Sequence, residues 1–469
     1  MNRTIPFVLV LGVGLALTFT SSHPPPALAR EGQVQPPVWL TPYREDAQRL
    51  IAAATADQFG WDRLAELTDT YGARLTGSEN LTRAIAWAAE TMKKDGLEQV
   101  RTEKVTAPRW VRGQESLEIV DPPHHVIPLL GLGGSISTPA GGVEADVMVV
   151  SSTDDLRKRS AEAKGKIVLF DVPYTDYGET VVYRSGGARI AAQHGAVGML
   201  LRSVGPMGLR TTHTGGMQYG DDAPKIPAAA ISVEDSQRMQ RIAARGHRLR
   251  VRLKMEARFE AEVESANVIG EITGRERPDE VVLVGCHFDS WDAATGASDD
   301  AAGCVVTWEG LRLMKKLGLR PRRTIRLVLF TNEENGLRGG TAYRDAYAKD
   351  AHNHVLAIES DSGVFAPARL AFTGSESARR VIAEIATLLA GIDMHSVGPG
   401  GGGADIGPIA QAGGVPMMAY SGDATKYFTI HHTPADTVER ILPSEVSKAA
   451  ASLAVMTFVV AEMPERLPK

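Results

Sequence analysis

Cys286 and Cys304 are the only cysteines in the 469-residue chain. That is too few for the disulfide framework of a small secreted domain, and the pair reads as two small buried thiols rather than a bridge. Aromatic residues are also sparse, at 6 %. No internal repeat, heptad run or low-complexity tract is present beyond a glycine cluster at 398–403, which removes the solenoid, coiled-coil and collagen classes. Neither sign of charge dominates: 51 Lys+Arg against 56 Asp+Glu leave a formal charge of −5. With no basic excess, a nucleic-acid partner is not expected. What is present is ordinary globular composition, 43 % hydrophobic and 23 % charged, which supplies enough apolar surface to exclude wholesale disorder. At ~150 residues per domain, the length suits one large domain carrying an insertion, or about three smaller ones.

The one long apolar run is at the N-terminus. Arg3 precedes an apolar stretch over 5–19, and Ala27-Leu28-Ala29 offers an A-x-A cleavage site. The stretch is short for a ~20-residue membrane span, and no Cys follows it for a lipid anchor. It predicts a signal peptide over 1–29 and a product, secreted or periplasmic, with no membrane association after cleavage. No later run is expected to reach spanning length.

Apolar periodicity predicts helices over 43–58 and 79–95, the second capped by Ser78. From 126 to 258 short strand-like runs (147–150, 167–172, 197–201, 226–231) alternate with helical stretches near 184–194 and 233–245. The strictly alternating run 249–259 closes this segment as a half-buried strand. Few residues there are arranged for chemistry, so it reads as a non-catalytic insert. The peptidyl chain on either side, 30–125 and 259–469, reads as one domain. In the second part, apolar runs at 281–286, 325–330 and 355–358 alternate with helices near 302–317 and 376–390. This pattern predicts an α/β fold with a mostly parallel central sheet flanked by helices.

In such sheets the working residues lie just beyond the carboxyl ends of strands. Beyond 286 come His287 and Asp289; beyond 330 come Glu333 and Glu334; beyond 358 come Glu359 and Asp361. Asp299-Asp300 opens the helix after the first strand, and His431-His432 lies near the end. Imidazole and carboxylate together suit zinc, or less selectively cobalt or manganese. Five candidate ligands (His287, Asp299, Glu334, Asp361 and His432) are too many for one structural site, and two ions sharing a carboxylate would use them economically. Glu333 remains as a general base.

The segments His287-Phe288-Asp289-Ser290, Ser298-Asp299-Asp300-Ala301-Ala302-Gly303, Asn332-Glu333-Glu334-Asn335-Gly336, Glu359-Ser360-Asp361 and His431-His432-Thr433-Pro434-Ala435-Asp436-Thr437 resemble metallopeptidase family 28, most closely its carboxypeptidase Q branch. The 126–258 insert resembles a β-rich protease-associated domain. The resemblance implies a dizinc exopeptidase acting on dipeptides or short peptides with free termini. One zinc would rest on His287, Asp299 and Asp361, and the other on Asp299, Glu334 and His432. It further implies that Glu333 is the base, that Asp289 hydrogen-bonds His287, and that His431 stands where relatives carry an oxyanion-steadying Tyr. It also implies a homodimer. Aminopeptidase activity at the same centre is the alternative. A receptor-like ectodomain is a weaker one, since all five ligands are present.

Other features have plainer expectations. Asp436 reads as a helix cap, His352 and His354 as surface residues, and Arg320, Arg322 and Arg323 as a solvated basic turn. Glu359 reads as a substrate contact or as a support for a ligand. The 398–403 cluster lacks a phosphate loop's Gly-Lys-Ser/Thr ending and reads as a substrate-side loop.

Overall fold

The computed structural model describes residues 36–122 and 125–468; the expected signal peptide lies outside them. The strand run 277–287 shows why the fold forms. Val282, Val284 and Cys286 point to one face of the sheet, where they meet Val305 and Trp308 of the Ala302–Lys316 helix and Leu453 and Met456 of the Pro443–Glu462 helix. Val281 and Leu283 point to the other face, onto Tyr343 and Ile409. A strand buried on both faces reads as a continuous apolar run, and alternating residues feed two separate cores.

The central sheet has eight strands in the order Glu98–Ala107, Val263–Ile272, Arg323–Phe330, Arg277–His287, His354–Glu359, Met417–Ser421, Arg369–Thr373, Val397–Pro399. The four in the middle, from Arg323–Phe330 to Met417–Ser421, run parallel. Antiparallel partners join them on both sides. The Ser78 hydroxyl accepts from the Leu81 amide and starts the Glu79–Lys94 helix. The expected helix over 43–58 forms as Arg44–Thr55, and a second helix that was not expected, Phe59–Tyr71, follows it. The second was missed because no Gly or Pro separates it from the first.

A second eight-stranded sheet forms the insert. Its middle strands Val143–Val150, Ile167–Phe170, Gly198–Arg202 and Ala228–Ile231 are parallel, and the helices Tyr177–Gln193 and Val233–Ala244 pack on it. The sheet begins before residue 126: it already includes Glu115–Asp121, paired with Arg250–Met255. The chain enters and leaves through a two-stranded ribbon, Trp110–Val111 against Arg258–Phe259.

Three expectations are corrected by burial. Pro443–Glu462 is long and apolar enough to cross a membrane, but it packs on Ala302–Lys316 and Arg44–Thr55 as a core helix. Arg323 is fully buried, its guanidinium donating to Glu280 and to the Met463 carbonyl, because the C-terminal segment folds back over it. His354 is buried too: it opens a central strand and hydrogen-bonds the Tyr343 hydroxyl at 2.9 Å. His352, two residues before that strand's start, is exposed.

Candidate metal centre

Each strand end delivers its residue to one edge of the sheet. His287 ends the Arg277–His287 strand, and its Nδ1–H donates to the Asp289 carbonyl oxygen at 3.0 Å. That bond fixes the tautomer, leaving the Nε2 lone pair free to bind a metal. Nε2 faces Asp299 Oδ1 at 3.1 Å and Asp361 Oδ1 at 3.4 Å. His432 Nε2 faces Asp299 Oδ2 and Glu334 Oε2, each at 3.1 Å. Asp299 therefore stands between two donor groups, one carboxylate oxygen turned to each. His431 stacks on His432 with ring centroids 3.6 Å apart, and its Nε2 lies 3.5 Å from Asp299 Oδ2. It is thus a further donor within reach of the second group.

The support of these groups differs from expectation in two places. Asp289 holds His287 through its backbone carbonyl. Its carboxylate instead accepts from the Thr76 hydroxyl at 3.0 Å and from the Glu333 amide at 3.1 Å. Asp436 is no helix cap: its carboxylate accepts from the Ser298 and Asp299 amides at 2.7 and 3.1 Å, which pins the loop presenting Asp299. Glu359 turns away from the cavity and accepts from the Ile406 amide at 2.9 Å. Gly403 packs on that carboxylate; a Cβ there would lie 2.0 Å from Glu359 Cδ. The glycine cluster therefore covers Glu359, and Asp405 beyond it is fully buried.

A further correction concerns the cysteines. Cys286 and Cys304 form a disulfide. So few cysteines had suggested free thiols, but the strand end and the helix start bring their Cα atoms to 5.0 Å apart. The bridge closes the segment that contains both His287 and Asp299.

The electrostatics ask for cations. Burial, and then Asp299, push Glu334 up to about 7 against the pull of His432. Burial drives Glu333 well above the usual carboxylate range, with Asp361 and Glu334 adding to it and His287 opposing. Burial opposes protonation of His287 and His432, yet the facing carboxylates raise both well above the ordinary imidazole value. His431 goes the other way: burial and then His432 hold it well below the ordinary imidazole value, which favours the neutral ring. Four carboxylates confined beside three imidazoles, with Asp299 Oδ2 buried and lacking any well-formed hydrogen bond, fit a hard or borderline divalent metal such as zinc.

The cavity over these groups has a volume of about 360 Å³, and three of its lining residues come from the insert: Tyr177, Arg184 and Gly216. Arg184 Nη2 donates to the Tyr177 hydroxyl at 2.9 Å, and Nη1 lies 3.3 Å from His432 Nδ1. The Thr214 amide donates to the His432 carbonyl at 2.9 Å. Tyr427 is buried in the same wall, and its hydroxyl has no hydrogen-bond partner among the described residues. Below the site, fully buried Arg74 donates to the Phe288, Thr295 and Gly296 carbonyls, bracing the loops that present His287 and Asp299. Sequence reasoning missed Arg184, Tyr177, Tyr427 and Arg74. None lies at the carboxyl end of a strand of the central sheet, where the sequence was searched for working residues.

The sequence profile of peptidase family M28 matches residues 267–457, and that of the PA domain matches 137–239. Mouse carboxypeptidase Q is 44 % identical over 430 residues, 91 % of each chain. The human protein of that name is 45 % identical over 420 residues, covering 90 % of this chain and 89 % of its own. Among solved structures, a peptidase M28 precursor from Shewanella amazonensis SB2B superposes with a TM-score of 0.87 at 33 % identity, covering 91 % of this chain and 98 % of its own. A zinc aminopeptidase from Bacillus subtilis shares the fold, with a TM-score of 0.66 at 21 % identity over 87 % of this chain and 98 % of its own. With the donor groups, the sheet and the insert all accounted for, the chain belongs to peptidase family M28 and is a zinc metallopeptidase of the exopeptidase kind.

Proposed function

We propose that the chain is an exported dizinc exopeptidase that hydrolyses dipeptides and short peptides and engages the free carboxyl end of its substrate. The observation that carries this reading is the cavity itself: two donor groups sharing Asp299, with Arg184 the only Lys or Arg among its described lining residues. His287, Asp299 and Asp361 would hold one ion, and Asp299, Glu334 and His432 the other. Zinc in such a donor set, when bound, polarises a carbonyl and acidifies water. Glu333, whose carboxylate carries no hydrogen bond among the described residues, takes the proton from the attacking water and returns it to the leaving amine nitrogen. The His431 imidazole and the Tyr427 hydroxyl line the place where the carbonyl oxygen gains charge, and both can donate to it. If His432 ligates through Nε2, its Nδ1 carries hydrogen, so the Arg184 N–H facing it is released toward the cavity to meet a carboxylate.

Names of the similar carboxypeptidase Q proteins agree with this polarity. Aminopeptidase activity is the competing reading, favoured by the zinc aminopeptidase of similar fold. Export is supported by the 1–29 sequence pattern and by the Cys286–Cys304 bridge, which persists in oxidising compartments. The test is a set of dipeptides blocked at one end. Amino-blocked substrates should be turned over and carboxyl-amidated ones should not; the opposite result makes the enzyme an aminopeptidase. Light scattering reads whether the homodimer implied by the family forms.

A further inference from the structure

A second cavity, of about 350 Å³, adjoins the metal cavity and shares Gly216, Glu333 and Glu334 with it. Its apolar walls are Trp110, Met217, Phe259 and Leu337, with the neutral polar Ser185, Gln218 and Asn335 beside them, and among the described lining residues the only charged groups are the two shared glutamates. Trp110 presents carbon alone, because its indole N–H already donates to the Ser135 carbonyl at 2.9 Å. Its ring meets Trp291 edge-on at 6.2 Å, and Trp291 in turn meets His432 at 5.9 Å, so this wall is packed directly against the metal side. Phe259, on the entry ribbon, is 52 % exposed. Gly216 stands at the neck between the two cavities, where a Cβ would lie 3.3 Å from the Glu334 carbonyl oxygen and begin to narrow the passage.

We infer that this second cavity receives the side chain on the acyl side of the scissile bond and selects large apolar residues there. The inference rests on the reading that Arg184 holds the carboxyl end. With that end in the metal cavity, the residue on the other side of the scissile bond is left facing the neck. An aliphatic or aromatic side chain would cover Phe259 and exclude water between Trp110 and Met217. An acidic one would meet no cation and two carboxylates at the neck.

The test compares kcat/KM of the zinc-loaded full chain for X–Ala and Ala–X dipeptides. X–Ala with Leu, Met or Phe as X should exceed Gly–Ala and Asp–Ala by ~10- to 100-fold, the scale of burying one such side chain. Phe259→Ala should lower the Leu–Ala to Gly–Ala ratio by ~5-fold or more, and Gln218→Arg, on the exposed rim, should raise the Asp–Ala to Leu–Ala ratio. Unchanged ratios in both variants, a preference for Lys or Arg as X, or effects confined to Ala–X would overturn the assignment. Failure of the wild-type protein to hydrolyse any dipeptide would overturn the exopeptidase reading and the pocket with it, whereas turnover with an unaltered ranking overturns the pocket alone.

Discussion

Glu333 and Glu334 are neighbours in the chain but face different surroundings. Glu334 accepts from the Trp291 amide at 3.1 Å and meets His432, while the Glu333 carboxylate is open to both cavities. Glu333→Gln keeps the shape and cannot take a proton, so turnover should fall ~10²- to 10⁴-fold with bound metal retained and KM little changed. Glu334→Gln should instead weaken one metal site and regain activity with added zinc. Metal analysis and steady-state kinetics on the two variants separate the roles; exchanged behaviour would put the register along this loop wrong by one. Asp436→Ala should weaken metal binding ~10- to 100-fold without touching the ions, because it frees the loop that aims Asp299. A distant residue contributes to acid stability. Burial, and then Arg326, hold His354 down at about 4 in the folded chain, against ~6.5 unfolded. The unfolded chain therefore gains that proton first, so the contribution is intact above pH ~6.5 and is lost as pH falls toward 4, by about 3 kcal/mol. His354→Gln should flatten this part of the pH–stability profile in denaturant titrations. The proposed ligands His287, Glu334 and Asp361 were legible because each follows an apolar strand within a few residues; Asp299 and His432 follow no strand end directly and were picked out by the residue pattern around them. The burial of His354 was not, because its partner Tyr343 comes from a helix that no local pattern ties to it.

The segment from the end of the Arg277–His287 strand to the start of the Ala302–Lys316 helix carries two proposed ligands and is closed by the Cys286–Cys304 disulfide. A loop of this length is worth ~3 kcal/mol to the folded state in the chain-entropy description. Cys286→Ala with Cys304→Ala should therefore lower stability by up to that amount. It should also loosen metal binding more than a core truncation elsewhere, since the constraint lies next to His287 and Asp299. Melting temperatures and zinc dissociation constants of the oxidised, reduced and doubly substituted proteins measure both effects. Equal zinc affinity in all three would make the bridge a stability element only. Three strands of the central sheet, at 281–286, 325–330 and 355–358, were readable from uninterrupted apolar runs, and the insert's closing strand from its alternation; the other five central strands were not read. Two cysteines eighteen residues apart give no such signal, because pairing depends on where a strand ends and a helix begins in space. The Phe59–Tyr71 helix was hidden for a related reason: only a three-residue step parts it from the helix before.

At the scale of the whole molecule, the cleft has two authors. The peptidase part supplies the donors, and the insert supplies Tyr177, Arg184 and Gly216 from a stretch that shows no catalytic motif. That is why the donor residues could be read in the sequence while the cavity walls from the insert could not. Removing metal should be felt globally. Chelation leaves Asp299, Glu333, Glu334 and Asp361 facing one another in a buried space, so the melting temperature should drop by several degrees and return with about two equivalents of zinc per chain. A return with one equivalent would exclude the paired site. The ribbon of Trp110–Val111 and Arg258–Phe259 gives this arrangement an evolutionary reading. Both crossings between the two parts occur side by side, so lineages can lengthen, trim or re-tilt the insert without threading a new connection through the catalytic sheet. Substrate preference can then diverge along one branch of descent while the hydrolytic apparatus is inherited unchanged, and chimaeras joined at this ribbon should acquire the taste of the insert donor.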